Sequence, residues 1–367
     1  MNTPSNELPF YVKTAYFMVA LISTVYVLCI GSEIILPVLF SLLIAILLNP
    51  GVNFLHRKRV PRMIAIFIVI IITMSAIAGF IYFLTTQISS FINILPKLQT
   101  QLNNITNDTL VWISSHFNIP ASKLQEWLKN SVTNSISNAS AVIAQTLMSI
   151  SGALIIIFLI PIYVFMILYY KPLIIEFISK FFSKDTHQNV SGILFDSKSL
   201  IQSYLTGLLI ESAIVSTLNV IGLLIIGVDF AVMLGIIGGL LNIIPYIGGV
   251  IAVILPMIIA LTTQSPNAAL WVLVVYLIVQ FIDNNILMHY IVASKVKINA
   301  LASVIVVLIG AAIWGVPGMF LSIPLTAILK VIFDRVNSLK PFGILLGDSM
   351  PAKENNFFKR FYPNKNK

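Results

Sequence analysis

Residues 242–256 read NIIPYIGGVIAVILP, two prolines and a Gly-Gly pair set inside one of the most apolar parts of the chain. Proline removes a backbone donor and clashes with the preceding helical turn, while glycine opens conformations closed to other residues. A stretch holding both is not expected to run as one straight helix. The apolar run around it covers about residues 231–263. At about 1.5 Å per residue it would reach roughly 50 Å, well beyond a hydrocarbon core of about 30 Å, yet it is too short for two spans of about 20 residues. Two half-helices around a tip satisfy both limits.

A second run, about 299–335, has the same problem and the same solution. It would be roughly 55 Å long as a single helix. WGVPGM interrupts it with Gly315, Pro317 and Gly318 beside Trp314, and Pro324 follows.

The setting of these runs is a membrane. Of 367 residues, 58% are hydrophobic and 10% charged, and mean hydropathy is +0.97; an ordinary soluble domain is about 45–50% apolar and about 25% charged. Apolar runs at about 15–30, 34–55, 63–85, 146–169, 201–227, 231–263, 268–290 and 299–335 predict an all-α, polytopic integral membrane protein with about eight hydrophobic segments. The first thirteen residues hold one Lys, and no small-residue cleavage site follows the first run, so that run is expected to remain as a helix. Cys29, the one cysteine, excludes an intrachain disulfide.

The net charge of +9 gathers in short loops such as HRKRVPR (56–62) and in the tail at KENNFFKR (353–360). Such charges orient a chain on a membrane, and no nucleic-acid partner is expected. Loop 56–62 and the connector 171–200, with Lys171, Lys180, Lys184 and Lys198, are expected to be cytoplasmic. The segment 88–145 then lies outside, where FINILPKLQTQL and ASKLQEWLKNSV read as amphipathic helices lying against the membrane or each other, a packing element between subunits ahead of a small ligand-capturing cap. If both broken runs crossed once, SKVK (294–297) would be outside, against its lysines. If both are re-entrant hairpins, every basic loop is cytoplasmic, as are both termini.

That topology makes span plus hairpin (201–263) and span plus hairpin (268–335) an inverted repeat. Paired Gly/Pro-interrupted segments in two halves are the sequence pointer to a transport site. The expected organisation is an N-terminal membrane scaffold (1–87), an extracytoplasmic insert (88–145), a membrane helix with its connector (146–200), a transport half (201–335) and a basic tail (336–367).

Ionisable residues at membrane depth are costly and usually functional. The richest polar cluster is VQFIDNNILMHY (279–290). At helical spacing Gln280, Asp283 and Asn284 share one face, and Asn285 and His289 form an adjacent pair. A cavity lining and a solvated helix end are the two readings. Glu211 neighbours a stripe of Ser212, Ser216 and Asn219, which reads either as a proton or cation carrier or as interhelical contacts of small polar residues. Asp229 and Glu33 fall at span ends, where solvated charges are expected.

Enzyme chemistry has little support. The four histidines lack metal-ligand spacing, so neither a metal site nor a cofactor is expected, and no GxSxG or phosphate-binding loop occurs. An aspartyl intramembrane protease needs two facing carboxylates, and Asp283 has no obvious partner in the sequence.

These residues resemble the AI-2E family of bacterial membrane transporters over most of the chain. Gln202, Tyr204 and Gly207 fit a Tyr-Gly signature, Asn242, Pro245, Tyr246 and Gly248 an Asn-x-x-Pro-Tyr-x-Gly motif, and Gly315, Gly318 and Pro324 a final Gly-Pro pattern. Gly249 departs from a common proline, as does His289. The resemblance implies a bacterial inner-membrane secondary transporter, exporting autoinducer-2 in some members and exchanging Na⁺(Li⁺) for H⁺ in others. The transport half also resembles the hairpin-bearing mobile domain of elevator transporters, with a scaffold that holds a homo-oligomer. The expected pathway lies between tips 242–249 and 314–318, with Gln280, Asp283, Asn284, Asn285 and Glu211 contributing. A passive oligomeric channel and a structural membrane scaffold are the competing classes.

Cysteines introduced singly at 294–297 are expected to react with a membrane-impermeant maleimide only from the cytoplasmic side. Labelling solely from outside would exclude the re-entrant topology.

Overall fold

The computed structural model describes residues 9–92, 158–181, 187–244, 248–293 and 298–348, with scattered positions between 96 and 116. Most of the expected outer insert, tip residues Pro245 and Tyr246, the SKVK stretch and the end of the tail lie outside the described residues.

The described chain is helical, apart from one isolated bridge between Ile298 and Gly347. Helices α1 (Phe10–Ile30), α2 (Ser32–Arg57) and α3 (Arg62–Ile92) form the N-terminal part. Helix α4 (Phe158–Tyr169) bends by 61° into α5 (Lys171–Phe181). Next come α6 (His187–Ile226), α7 (Ala231–Leu241), α8 (Gly248–Thr263) and α9 (Pro266–Ile282). Helix α9 continues into a π-helical segment (Asp283–Ala293), followed by α10 (Ala300–Arg335) and α11 (Lys340–Leu346). Among the described residues six helices are long and apolar enough to cross a membrane, and a seventh if α4 and α5 make one bent span. The protein is an all-α, polytopic integral membrane protein.

Both overlong runs are broken where the sequence breaks them. Helices α7 and α8, with 11 and 16 residues, are each too short to span and pack on each other. Gly248 sits directly against the Leu241 carbonyl, so a side chain there would collide with the end of α7. Helix α10 hides a sharper break. Gly315 has φ 63° and ψ −140°, a region essentially reserved for glycine. Gly310 and Gly318 lie backbone to backbone across it, although eight residues of straight helix would separate them by about 12 Å. The chain therefore doubles back at Gly315.

Three apolar clusters join these parts. One packs α6 to α9 through Leu223, Met233, Leu234, Ile259 and Val272. A second joins α2, α6 and α10 through Leu43, Ile201, Leu205 and Leu321, with Ile243 of the first tip and Trp314 of the second against it. A third holds α2, α3 and α4 through Val52, Ile66 and Val164. Helix α1 buries none of its residues, and its Leu28 carbonyl accepts a hydrogen bond from Trp314 Nε1 at 2.8 Å.

Local chemistry places the ends. Ser265 caps α9 by accepting from the Ala268 N–H at 3.2 Å, with Pro266 in the first turn where its missing N–H costs nothing. Gly227 and Phe230, at φ 80° and 59°, make the turn from α6 into α7. Three features were not read from the sequence. The connector 171–200 is largely helical, because α6 starts at His187; its early turns are held by an ion pair between Asp196 and Arg335. The span 268–290 changes to π geometry at Asp283. The start of the tail forms α11, which Asn299 clamps by donating from Nδ2 to the carbonyls of Leu345 and Gly347 at 2.7 and 3.0 Å.

Replacing Gly310 by Ala is expected to lower stability by about 1–3 kcal/mol, since the added methyl meets backbone that cannot rotate away. Gly79 has nothing within 4 Å, and Gly79→Ala is expected to be neutral or to gain up to about 1 kcal/mol of helix propensity. Thermal unfolding in detergent separates the two, and equal midpoints would exclude the close approach at Gly310.

Candidate functional site

The break between α7 and α8 meets the π segment. Asn242 ends α7, and its Nδ2 donates to Asp283 Oδ2 at 2.9 Å. Asp283 is the first π residue and only 3% exposed. From α6, Glu211 is 4% exposed and lies close enough to Asp283 for the two carboxyl groups to bear on each other. One oxygen of each carboxyl, Glu211 Oε2 and Asp283 Oδ1, is buried without a partner. Among the described residues neither carboxylate forms an ion pair.

This overturns the expectation that Asp283 has no carboxylate partner. Glu211 and Asp283 are 72 positions apart in sequence, and only the packing of α6 on the π segment brings them together. An ionised carboxylate buried without a cation costs several kcal/mol, and a second beside it raises the cost. The pair is chemically complete when it shares a proton or holds a cation between its oxygens.

The polar stripe next to Glu211 has two fates. Ser212 Oγ donates to the Gly239 carbonyl at 2.9 Å, and Ser216 Oγ points to that of Ile236 at 3.5 Å. These are interhelical contacts between α6 and α7. Asn219, two turns further on, is 2% exposed with Oδ1 unpaired, and it flanks Gly238 together with the equally unpaired hydroxyl of Tyr276. Tyr276 was not among the residues singled out in the sequence. Its signal was there, a tyrosine seven positions before Asp283, but among apolar neighbours it reads as ordinary core.

The remaining site residues divide clearly. Gly249, at the start of α8, lies against the Gln280 side chain, and any larger residue would displace that amide. Gln280 Nε2 in turn reaches Asn284 Oδ1 at 3.4 Å. Asn284 and Asn285 are exposed, and Asn285 Nδ2 returns to the Phe281 carbonyl at 2.8 Å. At the second tip, Trp314 bonds to α1, Gly315 is open, and Gly318 is covered by Gly310. Pro317 lies within this same reversal. Among the described residues no hydrogen bond joins the second tip to the carboxylate pair. Structure thus assembles Glu211, Asn242, Gly248, Gly249, Gln280 and Asp283 at one place, and sets Asn285 and Trp314 apart from it. Among the described residues no group of three or more His, Cys, Asp or Glu is placed to hold a metal ion.

With no basic side chain paired to either group among the described residues, replacing one carboxyl by an amide removes the repulsion between the two. Glu211→Gln is expected to unfold at or above the wild-type temperature, a gain of up to about 2 kcal/mol. Asn242→Ala, which strips Asp283 of its donor, is expected to cost about 1–3 kcal/mol. Thermal unfolding of both purified variants checks the sign; a large loss in Glu211→Gln would exclude an uncompensated pair.

Comparison with known proteins gives this geometry a setting. Residues 16–338 match the pattern described as AI-2E family transporter. YhhT of Escherichia coli strain K12, a candidate transport protein by its name, is 26% identical over 359 residues, covering 96% of this chain and 98% of its own. YueF of Bacillus subtilis strain 168, also a candidate transport protein, is 27% identical and covers 83% and 85%. The AI-2 transport protein TqsA of E. coli K12 is 27% identical and covers 88% and 93%.

Proposed function

The chain belongs to the AI-2E transporter family, and from that premise we propose that it is a secondary transporter of the bacterial inner membrane, exporting a small polar solute such as autoinducer-2 in exchange for an ion. One observation supports the coupling more than any other. Glu211 and Asp283 are buried close together, neither is ion-paired to a basic side chain among the described residues, and the amide of Asn242 at a hairpin tip bonds to Asp283. Loading of the pair with a proton or cation changes how strongly Asp283 accepts from Asn242, so it biases the position of the tip. A ligand shifts such an equilibrium only by its differential affinity for the two states.

Autoinducer-2 enters as the named cargo of one relative, TqsA. In this reading both hairpins are re-entrant, the termini are cytoplasmic, and the transport half moves against an oligomeric scaffold built from α1 to α3 and the segment 88–145. The largely exposed surface of α1 suits contact with lipid or with a second copy. Facing carboxylates also suit an aspartyl protease, but the relatives' names point to transport. The same oxygen-only pair supports a second reading, Na⁺(Li⁺)/H⁺ antiport, in which the ion itself is the cargo.

Sealed proteoliposomes with an imposed pH or Na⁺ gradient, offered autoinducer-2, test the proposal. Expected are gradient-dependent autoinducer-2 flux and a loss of at least about tenfold in Asp283→Asn, equivalent to about 1.4 kcal/mol. Na⁺-driven proton movement without autoinducer-2 flux would select the antiport reading. Wild-type transport by folded Asp283→Asn would remove the pair from the mechanism, and flux indifferent to any gradient would indicate a channel.

A further inference from the structure

At the opposite electrostatic extreme, three cations converge where α2, α3, α5 and α6 meet. Lys171, at the bend into α5, donates from Nζ to Asn49 Oδ1 at 3.0 Å. Arg62, at the start of α3, donates from Nη2 to the Leu168 carbonyl at 2.8 Å, just before the same bend. Lys198, on α6, is close enough that its charge and that of Arg62 both bear on Lys171. Among the described residues none of the three forms an ion pair. Asn49 is only 4% exposed, and its Nδ2 is buried with no acceptor, although its oxygen already serves Lys171. Three positive groups and an idle buried N–H donor lack the same thing, an acceptor carrying negative charge.

We propose that this junction is a binding site for a phosphate group, namely the headgroup of an acidic phospholipid. The source follows from place. The cations stand at the ends of apolar helices, at the face that the basic loops assign to the cytoplasm, where anionic headgroups collect. Arginine and lysine supply the charge-assisted donors that phosphate oxygens accept, and the Asn49 amide adds a fixed neutral donor. An occupant here would bridge α2, α3 and α5 to the first turns of α6, the helix that carries Glu211, and so tie the scaffold to the transport half. This inference stands apart from the transport reading.

The test uses the full chain purified in detergent and offered phosphatidylglycerol against phosphatidylcholine, with bound lipid counted by native mass spectrometry. Phosphatidylglycerol is expected to be retained selectively, and Lys171→Gln/Lys198→Gln to weaken its binding roughly tenfold or more. Arg57→Gln/Lys58→Gln removes the same charge from exposed positions at the C-terminal end of α2 and is expected to retain the lipid. Asn49→Asp, which is nearly isosteric, supplies the missing carboxylate from the protein; it is expected to unfold no lower than wild type and to release the lipid. Stabilisation by inorganic phosphate alone, absent from Lys171→Gln/Lys198→Gln, would support the site while naming a soluble anion as its source. Equal lipid loss in both double variants, or wild-type retention by Asn49→Asp, would overturn it.

Discussion

A broken helix in an apolar solvent presents carbonyl and N–H groups that the solvent cannot bond, and the arrangement of α6 to α9 follows from covering them. The end of α7 is received by α6, whose Ser212 donates to the Gly239 carbonyl. Close approach makes that possible, because the glycines of α7 leave no side chains between the two helices. On the other side, α9 and its π continuation meet the two edges of the break, with Asn242 against Asp283 and Gly249 against Gln280. The described edges of the break are therefore covered by neighbouring helices, although its sequence is among the most apolar in the chain.

Charge is sorted within this frame. Glu211 and Asp283, the most deeply buried carboxylates among the described residues, are not ion-paired to a basic residue, and Arg62, Lys171 and Lys198 are not ion-paired to an acidic one. Had Lys171 and Asp283 met each other, the result would be a salt bridge of fixed charge. Kept apart, neither group is neutralised by the other. A buried acid pair prefers to hold a proton or small cation, and a basic junction at a helix end prefers phosphate. The π segment contributes here by its register, since it begins at the residue whose side chain must turn toward α6.

Much of the fold was legible because the bilayer imposes few solutions. Run lengths alone required breaks in 231–263 and 299–335, and the breaks lie at Asn242 and Gly315. Loops and caps were less legible. The connector 171–200 reads as a charged link, yet α5 and the start of α6 are helical, because pairs such as Glu176 and Lys180 satisfy each other along a surface helix. For the site, the polar residues of the tip and of 279–290 were visible as a group, but periodicity paired Asn285 with His289 without showing that its amide turns back to Phe281. Tyr276 was invisible for the opposite reason, an ordinary residue type whose unpaired hydroxyl appears only when its surroundings are known.

By itself, then, the sequence determined that the chain is helical, that it crosses a membrane several times, and that two of its apolar runs are interrupted. Those conclusions rest on chain length against bilayer thickness and on residues that forbid a continuous helix, both of which are local. Tertiary structure alone decided which polar groups share a space. Glu211 meets Asp283 across 72 positions, and Lys171 meets Asn49 across 122. Such meetings depend on how helices pack, and packing energy is summed over many weak contacts that no short stretch of sequence contains.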